Sequence, residues 1–397
     1  MSQIAELIRQ YCPHGVAYFS LGDLGKRNHG TSITAAKMKD LNVPGSETRV
    51  FAGGGTTADV PVGAIPDSDV IRAPSIVVKS RGYIGFEYYD RPFSHKSELW
   101  SYTIKATNVC QKFVYYYLLT QAESLQRVAR ATSVKIPQLS VADTDNLRIP
   151  VPPLQVQRAI VEILDDFTKL EAELEAELEA RRKQYTYYRN QLLTSSNSAD
   201  ANTEWSTLGG ICLKVGSGGT PLVSRRDFYG GAIPWLRTQE VRFLDIRKTE
   251  LTITDAGLHG SSAKWIPENC VIVAISGATA GRSAVNKIPL TTNQHCCNLE
   301  VDARKADYRY VYYWVASQYE NLKALGQGAR ADLNVSIISG YPIPIPCLPE
   351  QERIVSILDN FDALVNDISI GLPAELAARR KQYEYYRDKL LTFKEAA

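Results

Sequence analysis

The sequence lacks the features that define several common protein classes. No run of apolar residues approaches the ~20 that a membrane-spanning helix needs, and the amino-terminal MSQIAELIRQY has no signal-peptide apolar core. The seven cysteines are an odd number without CxxC spacing, which argues against a disulfide framework or a zinc finger and indicates reduced thiols. We therefore expect a cytoplasmic protein that makes no use of a membrane.

Motifs for nucleotide binding and catalysis are also missing. There is no GxxxxGK[ST], GxGxxG or GxSxG pattern, and the glycine runs 53–55 and 216–220 lack the lysine of a phosphate loop. The histidines are scattered; His295, Cys296 and Cys297 are adjacent, so their side chains point in different directions and a shared metal ion is not expected. These absences predict a non-enzymatic chain with no metal and no cofactor of its own.

Net charge is also low, at +2, so any nucleic-acid-binding surface must be local rather than an overall basic field. At 397 residues, with 44% hydrophobic and 22% charged residues, the chain is long enough for two folded domains with connectors.

What the sequence does contain is one stretch that occurs twice. Residues 149–194 and 343–392 both begin with Ile-Pro-x-Pro and continue in a helical pattern. Ile160 recurs 194 residues later, and the block Ala-Arg-Arg-Lys-Gln-Tyr at 180–185 recurs at 378–383. A period this long exceeds the tens of residues of a solenoid repeat. It indicates duplication of a unit that consists of a domain and a helix.

The repeated stretches predict long helices that pack on each other. Apolar residues follow three- and four-residue steps from Leu154 to Thr194, a rod of about 60 Å at 1.5 Å per residue that cannot bury its stripe alone. The connectivity favours an antiparallel pair with the globular regions at opposite ends. Gly371-Leu372-Pro373 predicts that the second helix is broken into two segments. The candidate residues for the helix-pair or partner interface are Ile160, Leu164, Phe167, Leu174, Leu178, Tyr185, Ile354, Leu358, Phe361 and Tyr383.

A mixed region of strands and helices precedes each long helix. In the first region, the sequence predicts strands at Ser75–Lys79 and Leu99–Ile104 and a helix over residues 110–130. A short helix over residues 2–12 precedes this region along the chain. In the second region, the strand at 270–276 and the tyrosine-rich helix near 310 match by position. Elsewhere the two regions barely resemble each other, as expected of a duplicated reader of two different targets.

The order of these elements resembles the specificity (S) subunits of type I restriction-modification enzymes, and the resemblance covers the whole chain. It is carried by Ile149-Pro150-Val151-Pro152-Pro153-Leu154 with Gln157, and by Ile343-Pro344-Ile345-Pro346 with Leu348 and Gln351. The tandem Glu-Ala-Glu-Leu at 171–178 resembles the short repeat of the type IC branch, in which repeat number sets the spacer between half-sites. The unit here begins with Glu where Thr is expected in that branch.

The resemblance implies a fold of two α/β (α+β) target recognition domains, each a twisted sheet with flanking helices. An antiparallel pair of long coiled-coil helices would separate them in a duplicated, pseudo-twofold architecture, with the amino-terminal helix beside the carboxyl-terminal one. The expected parts are an N-terminal helix (1–15), a first recognition domain (16–148), a central helix that acts as spacer (149–198), a second recognition domain (199–342) and a C-terminal helix (343–397).

The resemblance also implies a function. Each recognition domain would bind one half of a bipartite target in double-stranded DNA, while the helices would set the spacer length and dock two modification (methyltransferase) subunits. Restriction (endonuclease/translocase) subunits are the further expected partners. S-adenosylmethionine, ATP and Mg²⁺ would belong to those partner subunits and not to this chain.

Candidate DNA contacts follow from side-chain chemistry, since Arg, Lys, Asn, Gln, Ser and Thr read base edges and Lys and Arg bind phosphates. In the first domain they are Lys26, Arg27, Asn28, Thr31, Lys37, Lys79, Ser80, Arg81 and Tyr83. In the second they are Ser217, Thr220, Arg225, Arg226, Trp235, Arg237, Thr238, Gln239, Arg242, Thr279 and Arg282. Solvated loops have the same composition, but the matching positions of the two post-strand loops, 79–83 and 276–282, favour a function.

Other interpretations stay open at this point. The Glu-Ala-Glu-Leu pair is also a strong helix-forming filler, and the repeated Arg-Arg-Lys at 181–183 and 379–381 is also a solvated helix face. A coiled-coil scaffold that bridges two protein partners without DNA recognition explains the helices but not two folded domains with unlike surfaces. A self-sufficient methyltransferase or nuclease would need the cofactor loop that is missing here.

Overall fold

The computed structural model describes residues 2–132, 135–199, 203–326, 332–366 and 370–396. The chain divides into two compact units, the first made of Met1–Glu175 and Leu376–Ala397 and the second of Ala176–Glu375. Each unit contains one of the two expected mixed α/β regions together with part of the long helix. Among the described residues, no helix is long and apolar enough to cross a membrane.

The first unit contains short strands, three long helical segments and several short helices. Its helices are α1 (Ser2–Tyr11), α2 (Leu21–Leu24), α3 (Ala35–Leu41), α4 (Gln111–Thr132), α5 (Val141–Asp145), the beginning of α6 (Leu154–Ala199) and residues 376–390 of the last helix of the chain. Its strands are β1 (Ala17–Ser20), β2 (Gly25–Asn28), β3 (Thr48–Phe51), β4 (Thr57–Val60), β5 (Ser75–Lys79), β6 (Gly85–Tyr89), β7 (Phe93–His95), β8 (Trp100–Ile104) and β9 (Arg148–Val151). The predicted strands at 75–79 and 99–104 and the helix near 110–130 are therefore confirmed.

Two sheets form the core of the first unit. One is antiparallel with the order β2-β8-β5-β6. The other has the order β4-β3-β7, in which β3 runs antiparallel to β4 and parallel to β7. Strands β1 and β9 form a separate antiparallel pair, so Pro150 lies in a strand and the long helix begins at Leu154, after Pro152 and Pro153.

The second unit repeats this plan. Its helices are the remainder of α6, α7 (Asp255–His259), α8 (Tyr308–Ser317), α9 (Tyr319–Ala324), α10 (Val335–Ser339), α11 (Leu348–Asn366) and the start of α12 (Leu372–Leu390). Its strands are β10 (Glu204–Thr207), β11 (Cys212–Ser217), β12 (Tyr229–Leu236), β13 (Asp245–Ile246), β14 (Leu251–Ile253), β15 (Trp265–Ile266), β16 (Val271–Ala274), β17 (Ser283–Asn286), β18 (Leu290–Thr292), β19 (Cys296–Val301) and β20 (Pro342–Ile345).

The sheets of the two units share one topology. The order β11-β19-β16-β17-β13 repeats β2-β8-β5-β6 with one added edge strand. The order β14-β12-β18-β15 repeats β4-β3-β7 with β15 added at the edge, and β12 pairs in parallel with β18 as β3 does with β7. The two regions share few sequence positions, yet they form the same strand order, which confirms the predicted duplicated architecture.

In the first unit, the beginning of α6 packs against α12 and α1. Ile4, Ile160, Leu164 and Leu390 belong to one buried cluster. Farther along α6, the rings of Phe167 and Tyr383 lie with centroids 6.3 Å apart, and Arg380 forms ion pairs with Glu171 and Glu175. Residue numbers rise along α6 as they fall along α12, so the pairing is antiparallel in this unit. The predicted position of the amino-terminal helix beside the carboxyl-terminal one is confirmed.

In the second unit, the rest of α6 packs against α11. Tyr185, Leu193, Ile354 and Leu358 are buried in one core cluster, and the rings of Tyr188 and Phe361 have centroids 6.1 Å apart. Of the predicted interface residues, Leu178 is buried and Leu174 is half-buried. Leu170 and Leu364 follow the same three- and four-residue steps but are exposed, and Val365 is buried in place of Leu364. Helices α11 and α12 are separate, as the Gly-Leu-Pro sequence predicts.

The repeated residues hold the same backbone in both units. Gln157 and Gln351 are fully buried; the amide nitrogen of Gln157 donates to Pro152 O at 2.7 Å and its oxygen accepts from Cys110 N at 2.7 Å. Gln351 makes the equivalent bonds to Pro346 O and from Asp307 N, each at 2.8 Å. A buried amide needs such partners, so these glutamines fasten the start of each long helix to the domain before it.

Candidate nucleic-acid interface

Four loops meet at one edge of the first unit. This first edge consists of residues 29–34, 52–56, 80–84 and 96–99. It is closed by backbone hydrogen bonds from Thr31 N to His95 O and from Lys96 N to Phe51 O, each 2.8 Å long. The hydroxyl of Ser80 adds a bond to Glu98 O at 3.0 Å. Because β3 and β7 are parallel, the loops that follow them begin at the same end of the sheet.

The same four loops meet in the second unit. This second edge consists of residues 218–221, 237–242, 275–282 and 293–295. Its backbone bonds run from Gly219 N to Thr292 O, from Asn293 N to Leu236 O and from Ile275 N to the carbonyl of residue 295, each 2.9 Å long. The first two bonds have backbone counterparts at the first edge, and the third corresponds there to the bond from the Ser80 hydroxyl to Glu98 O. One backbone scaffold therefore presents two different sets of side chains.

At each edge, a glycine allows two segments of the backbone to pass close to each other. A Cβ on Gly30 would lie 2.0 Å from His95 O, and a Cβ on Gly218 would lie 1.8 Å from Thr292 O. Distances this short exclude any other residue without movement of the backbone. The two glycines bring the loop after β2 or β11 against the last residue of β7 or β18.

Replacing Gly218 by alanine is therefore expected to destabilise the chain by about 1–3 kcal/mol, since the added methyl group must displace the carbonyl of Thr292. Urea unfolding of the purified chain measures this change. Gly216→Ala, two residues earlier in β11, is the matched control, because its Cβ would meet no atom within 4 Å. Equal urea midpoints of unfolding for the two variants would contradict the close approach of Gly218 to Thr292.

Basic side chains gather at the first edge. A groove of about 510 Å³ is lined by Lys39, Arg81, Lys96 and Glu98, together with small residues of the 53–57 loop. Lys96 and Glu98 form an ion pair at 2.8 Å, and Arg81 is exposed. The predicted candidates Lys26 and Lys37 are exposed, and Tyr83 is 80% exposed beyond the positive-φ residue Gly82.

Other candidates in the first unit have structural roles. Arg27 forms an ion pair with Asp145 at 3.0 Å and Lys79 one with Glu87 at 2.6 Å. Thr31 and Ser80 are buried. The side-chain amide of Asn28 donates to Ser75, Ser101 and Thr103 inside the sheet. The prediction that Thr31, Ser80 and Asn28 reach DNA directly does not fit these positions, because their side chains face the protein.

Polar side chains cluster at the second edge around Gln294. The hydroxyl of Thr220 donates to the side-chain oxygen of Gln294, and the nitrogen of that amide lies 3.2 Å from His295 Nε2. Ser217 is exposed at the end of β11, while Thr279 is partly exposed in the loop after β16. Thr220 and Gln294 lie 74 residues apart along the chain and meet only in the folded unit.

Arg237 is held by acidic neighbours. Its guanidinium donates to Glu250 at 3.0 Å and lies 4.0 Å from the buried carboxylate of Glu240. With its amide oxygen turned towards Arg237, Gln239 accepts a further bond at 2.6 Å. Two carboxylates around one guanidinium leave a local negative charge, which disfavours an approaching phosphate. Arg237 therefore fixes the 237–242 loop.

The remaining candidates of the second unit divide between surface and core. Trp235 is 4% exposed and its indole nitrogen donates to Gly219 O at 3.0 Å, so its ring supports the loop and cannot stack on a base. Arg225 is exposed and pairs with Asp227 at 2.6 Å. Arg242 Nε donates to Gln239 O at 2.7 Å. Arg226 is exposed, whereas Thr238 and Arg282 are partly exposed.

Burial sets the protonation of groups behind the edges. Burial lowers the pKa of His95, which favours a neutral ring that donates from Nδ1 to Lys96 O and accepts from Ser101 at Nε2. Burial likewise raises the pKa of Cys297 to about 12. Neither thiol of the 296–297 pair is exposed, whereas His295 is. Among the described residues, no group of three His, Cys, Asp or Glu could hold a metal ion.

Sequence reasoning missed the turns at 96–98 and 293–295. They are short, they contain one or two charged residues at most, and they follow strands of only three residues. No matched pattern marks them, because the strands that match across the duplication are those at 75–79 and 270–276, whereas these turns precede β8 and β19. Their place at the edge is visible only once β7 and β18 are paired with β3 and β12.

Comparison with known proteins identifies the class that this architecture defines. The family described as "Type I restriction modification DNA specificity domain" matches residues 13–180 and 202–378. The two matched segments contain the two edges and the start of each long helix. The chain therefore belongs to the family of type I restriction-modification specificity subunits.

Curated relatives agree with this assignment. The specificity subunit of the type I restriction enzyme EcoR124I/EcoR124II from Escherichia coli is 36% identical over 296 residues, which cover 71% of this chain and 70% of that one. A putative type I restriction enzyme specificity subunit of Haemophilus influenzae is 29% identical over 295 residues, which cover 71% of this chain and 72% of that one.

Solved structures share the fold. The S subunit of a type I restriction-modification system from M. genitalium superposes with a TM-score of 0.60 at 16% identity, over 95% of this chain and 96% of that one. A chain from a type I R-M system, studied for complex assembly and conformational transition, gives a TM-score of 0.59 at 16% identity, over 96% and 98% of the two chains. At this identity the likeness establishes the arrangement of elements and not the residues that contact DNA.

Proposed function

We propose that this chain is a non-catalytic subunit that selects the DNA sequence on which a type I restriction-modification complex acts. Each unit reads one half of a bipartite site in double-stranded DNA through its edge. The observation that carries this proposal is the equivalence of the two edges. Two equivalent backbone bonds hold both, yet the first carries Arg81 and Lys96, with Lys39 lining the same groove, and the second carries Thr220 and Gln294.

The long helices would separate the readers and dock the partners. Two modification (methyltransferase) subunits bind them, and restriction subunits complete the nuclease. S-adenosylmethionine, ATP and Mg²⁺ are then held by those partners. The tyrosine-rich surface of the helices supports docking, since Tyr187 on α6 is 59% exposed and Tyr385 on α12 is 60% exposed. Exposed aromatic residues are frequent at protein interfaces.

The direct test is to reconstitute the chain with its modification subunits and map every methylated position in host DNA. A single bipartite motif, two short specified segments around an unspecified gap, is expected. A complex that assembles but binds DNA without sequence preference in a gel shift would favour the scaffold interpretation instead. Methylation by the isolated chain would contradict the non-catalytic role.

Arg81 tests the contribution of the first edge. It is exposed at the groove that Lys39 and Lys96 share, so Arg81→Ala is expected to reduce discrimination at one base position of one half-site by about 1–3 kcal/mol. Competition binding with single-base variants of the site measures this. Arg225→Ala, an exposed arginine of the other unit that pairs with Asp227, is the matched control and should leave that half-site unchanged. An equal loss of affinity for every sequence would show that Arg81 contacts a phosphate and not a base.

A further inference from the structure

The turn at 293–295 is a rigid platform at the second edge. Asn293 is 7% exposed; its backbone nitrogen donates to Leu236 O at 2.9 Å. Its side-chain oxygen accepts from His295 N at 3.2 Å and from the thiol of Cys296 at 3.3 Å. The buried asparagine thus fixes the backbone of the turn. Only the next two side chains, Gln294 and His295, project to the surface.

The amide of Gln294 is oriented before any ligand arrives. The hydroxyl of Thr220 donates to its oxygen and His295 Nε2 lies 3.2 Å from its nitrogen. Thr220 is itself held in place, because Gly218 and Gly219 pack against the backbone of Thr292 and of residues 262–263. A glutamine restrained in this way loses little side-chain entropy on binding. Its oxygen retains a second lone pair for another donor.

The chemistry of this group suits one base. A glutamine amide pairs in a bidentate manner with adenine, where its nitrogen donates to N7 and its oxygen accepts from the N6 amino group. Arg237, the other strong candidate at this edge, already donates to Glu250 and lies beside Glu240. The equivalent turn of the first unit carries the ion pair Lys96–Glu98. The same backbone position therefore offers unlike chemistry in the two units.

We propose that the turn at 293–295 determines the specificity of the second unit, and that Gln294 reads an adenine in its half-site while Thr220 orients the amide. The inference rests on the proposed function. It adds the element that does the reading and the base that one of its side chains selects.

The test is to map methylation by the reconstituted complex that carries Gln294→Ala. One adenine position in one half-site is expected to become degenerate, with discrimination there reduced about tenfold to hundredfold. The other half-site and the gap stay the same. Thr220→Val keeps the shape but removes the donor to Gln294, and is expected to relax the same position to a smaller extent. Gln294→Glu is isosteric and replaces the amide donor by an acceptor, which favours cytosine at that position.

Control variants separate reading from folding. His259→Ala removes an exposed histidine at the end of α7 in the same unit and should leave the motif unchanged. Ser97→Ala, in the equivalent turn of the first unit, should leave the half-site of the second unit unchanged. An unaltered motif in both Gln294→Ala and Gln294→Glu overturns the inference, as does relaxation at a position that is not adenine or a uniform loss over all sites. If the wild-type complex yields no bipartite motif, the proposed function itself fails.

Discussion

Deletion of residues 171–174, one Glu-Ala-Glu-Leu unit, is expected to shorten the preferred gap between half-sites by about one to two base pairs. Four residues are about one turn of helix, roughly 6 Å, and successive base pairs lie about 3.4 Å apart along one strand. Helix α6 is continuous through this segment from Leu154 to Ala199, so the change in length is not absorbed by a loop within it. Methylation of the original sites should be largely lost and sites with the shorter gap gained.

The ion pairs of Arg380 explain why such a deletion should leave a folded protein. Arg380 bonds to Glu171 and Glu175, which occupy equivalent places in successive copies of the unit. Deleting one Glu-Ala-Glu-Leu copy removes one of these glutamates. The equivalent glutamate of the remaining copy stays in the same folded unit as Arg380. The apolar face is nearly kept as well, because four residues come close to one helical turn.

Methylation mapping on a DNA library with varied gaps measures the result. A variant of unchanged length, Glu173→Ala with Glu177→Ala, is the control and should keep the original gap, since both side chains are exposed on α6. If the deletion variant still assembles and methylates but prefers the original gap, the helix does not set the spacing.

The second large effect is expected at Arg309, where replacement by methionine should destabilise the second unit by about 3 kcal/mol. The guanidinium is 15% exposed and donates to Asp359 at 2.5 Å, to Asp245 at 3.0 Å and to the hydroxyl of Tyr313 at 2.9 Å. Removing it leaves two carboxylates close together without their cation. Burial also raises the pKa of Tyr313, so its neutral phenol still donates to Asp359 but supplies no positive charge.

The first unit supplies the matched control. Lys112 occupies the place of Arg309 and contacts Asp165 at 2.7 Å, but the two side chains are 36% and 37% exposed. Water screens such a pair, so Lys112→Met should cost less than about 1 kcal/mol. Urea unfolding of the full chain, followed by circular dichroism, compares the two variants. Equal costs would mean that burial does not distinguish these two framework sites.

Duplication made much of the architecture predictable from the sequence. Periodic apolar residues are a local signal, and they located α4, α6, α11 and α12 without reference to the rest of the chain. The paired matches also identified Gln157 and Gln351 as equivalent, and both make the same buried bonds. The break before α12 followed from the Gly-Leu-Pro sequence, since proline and glycine act on their own neighbourhood.

The candidate site was less predictable, because composition does not reveal whether a side chain points to the surface or into the core. Trp235, Thr31 and Ser80 have side chains suited to DNA, yet the fold buries them. Leu170 and Leu364 match the helical stripe but are exposed, at 47% and 40%. In each case the deciding factor is which neighbouring element covers the residue, and no local pattern encodes that.

The sequence by itself determined that this chain is a domain and a helix repeated, with loop residues that differ between the two copies. Only the tertiary structure decided which loops form each edge. Phe51 and Lys96 are joined by a backbone bond, as are Leu236 and Asn293, although tens of residues separate the members of each pair along the chain. Parallel pairing of β3 with β7 and of β12 with β18 creates these contacts, and strand pairing over such distances depends on the packing of the whole domain.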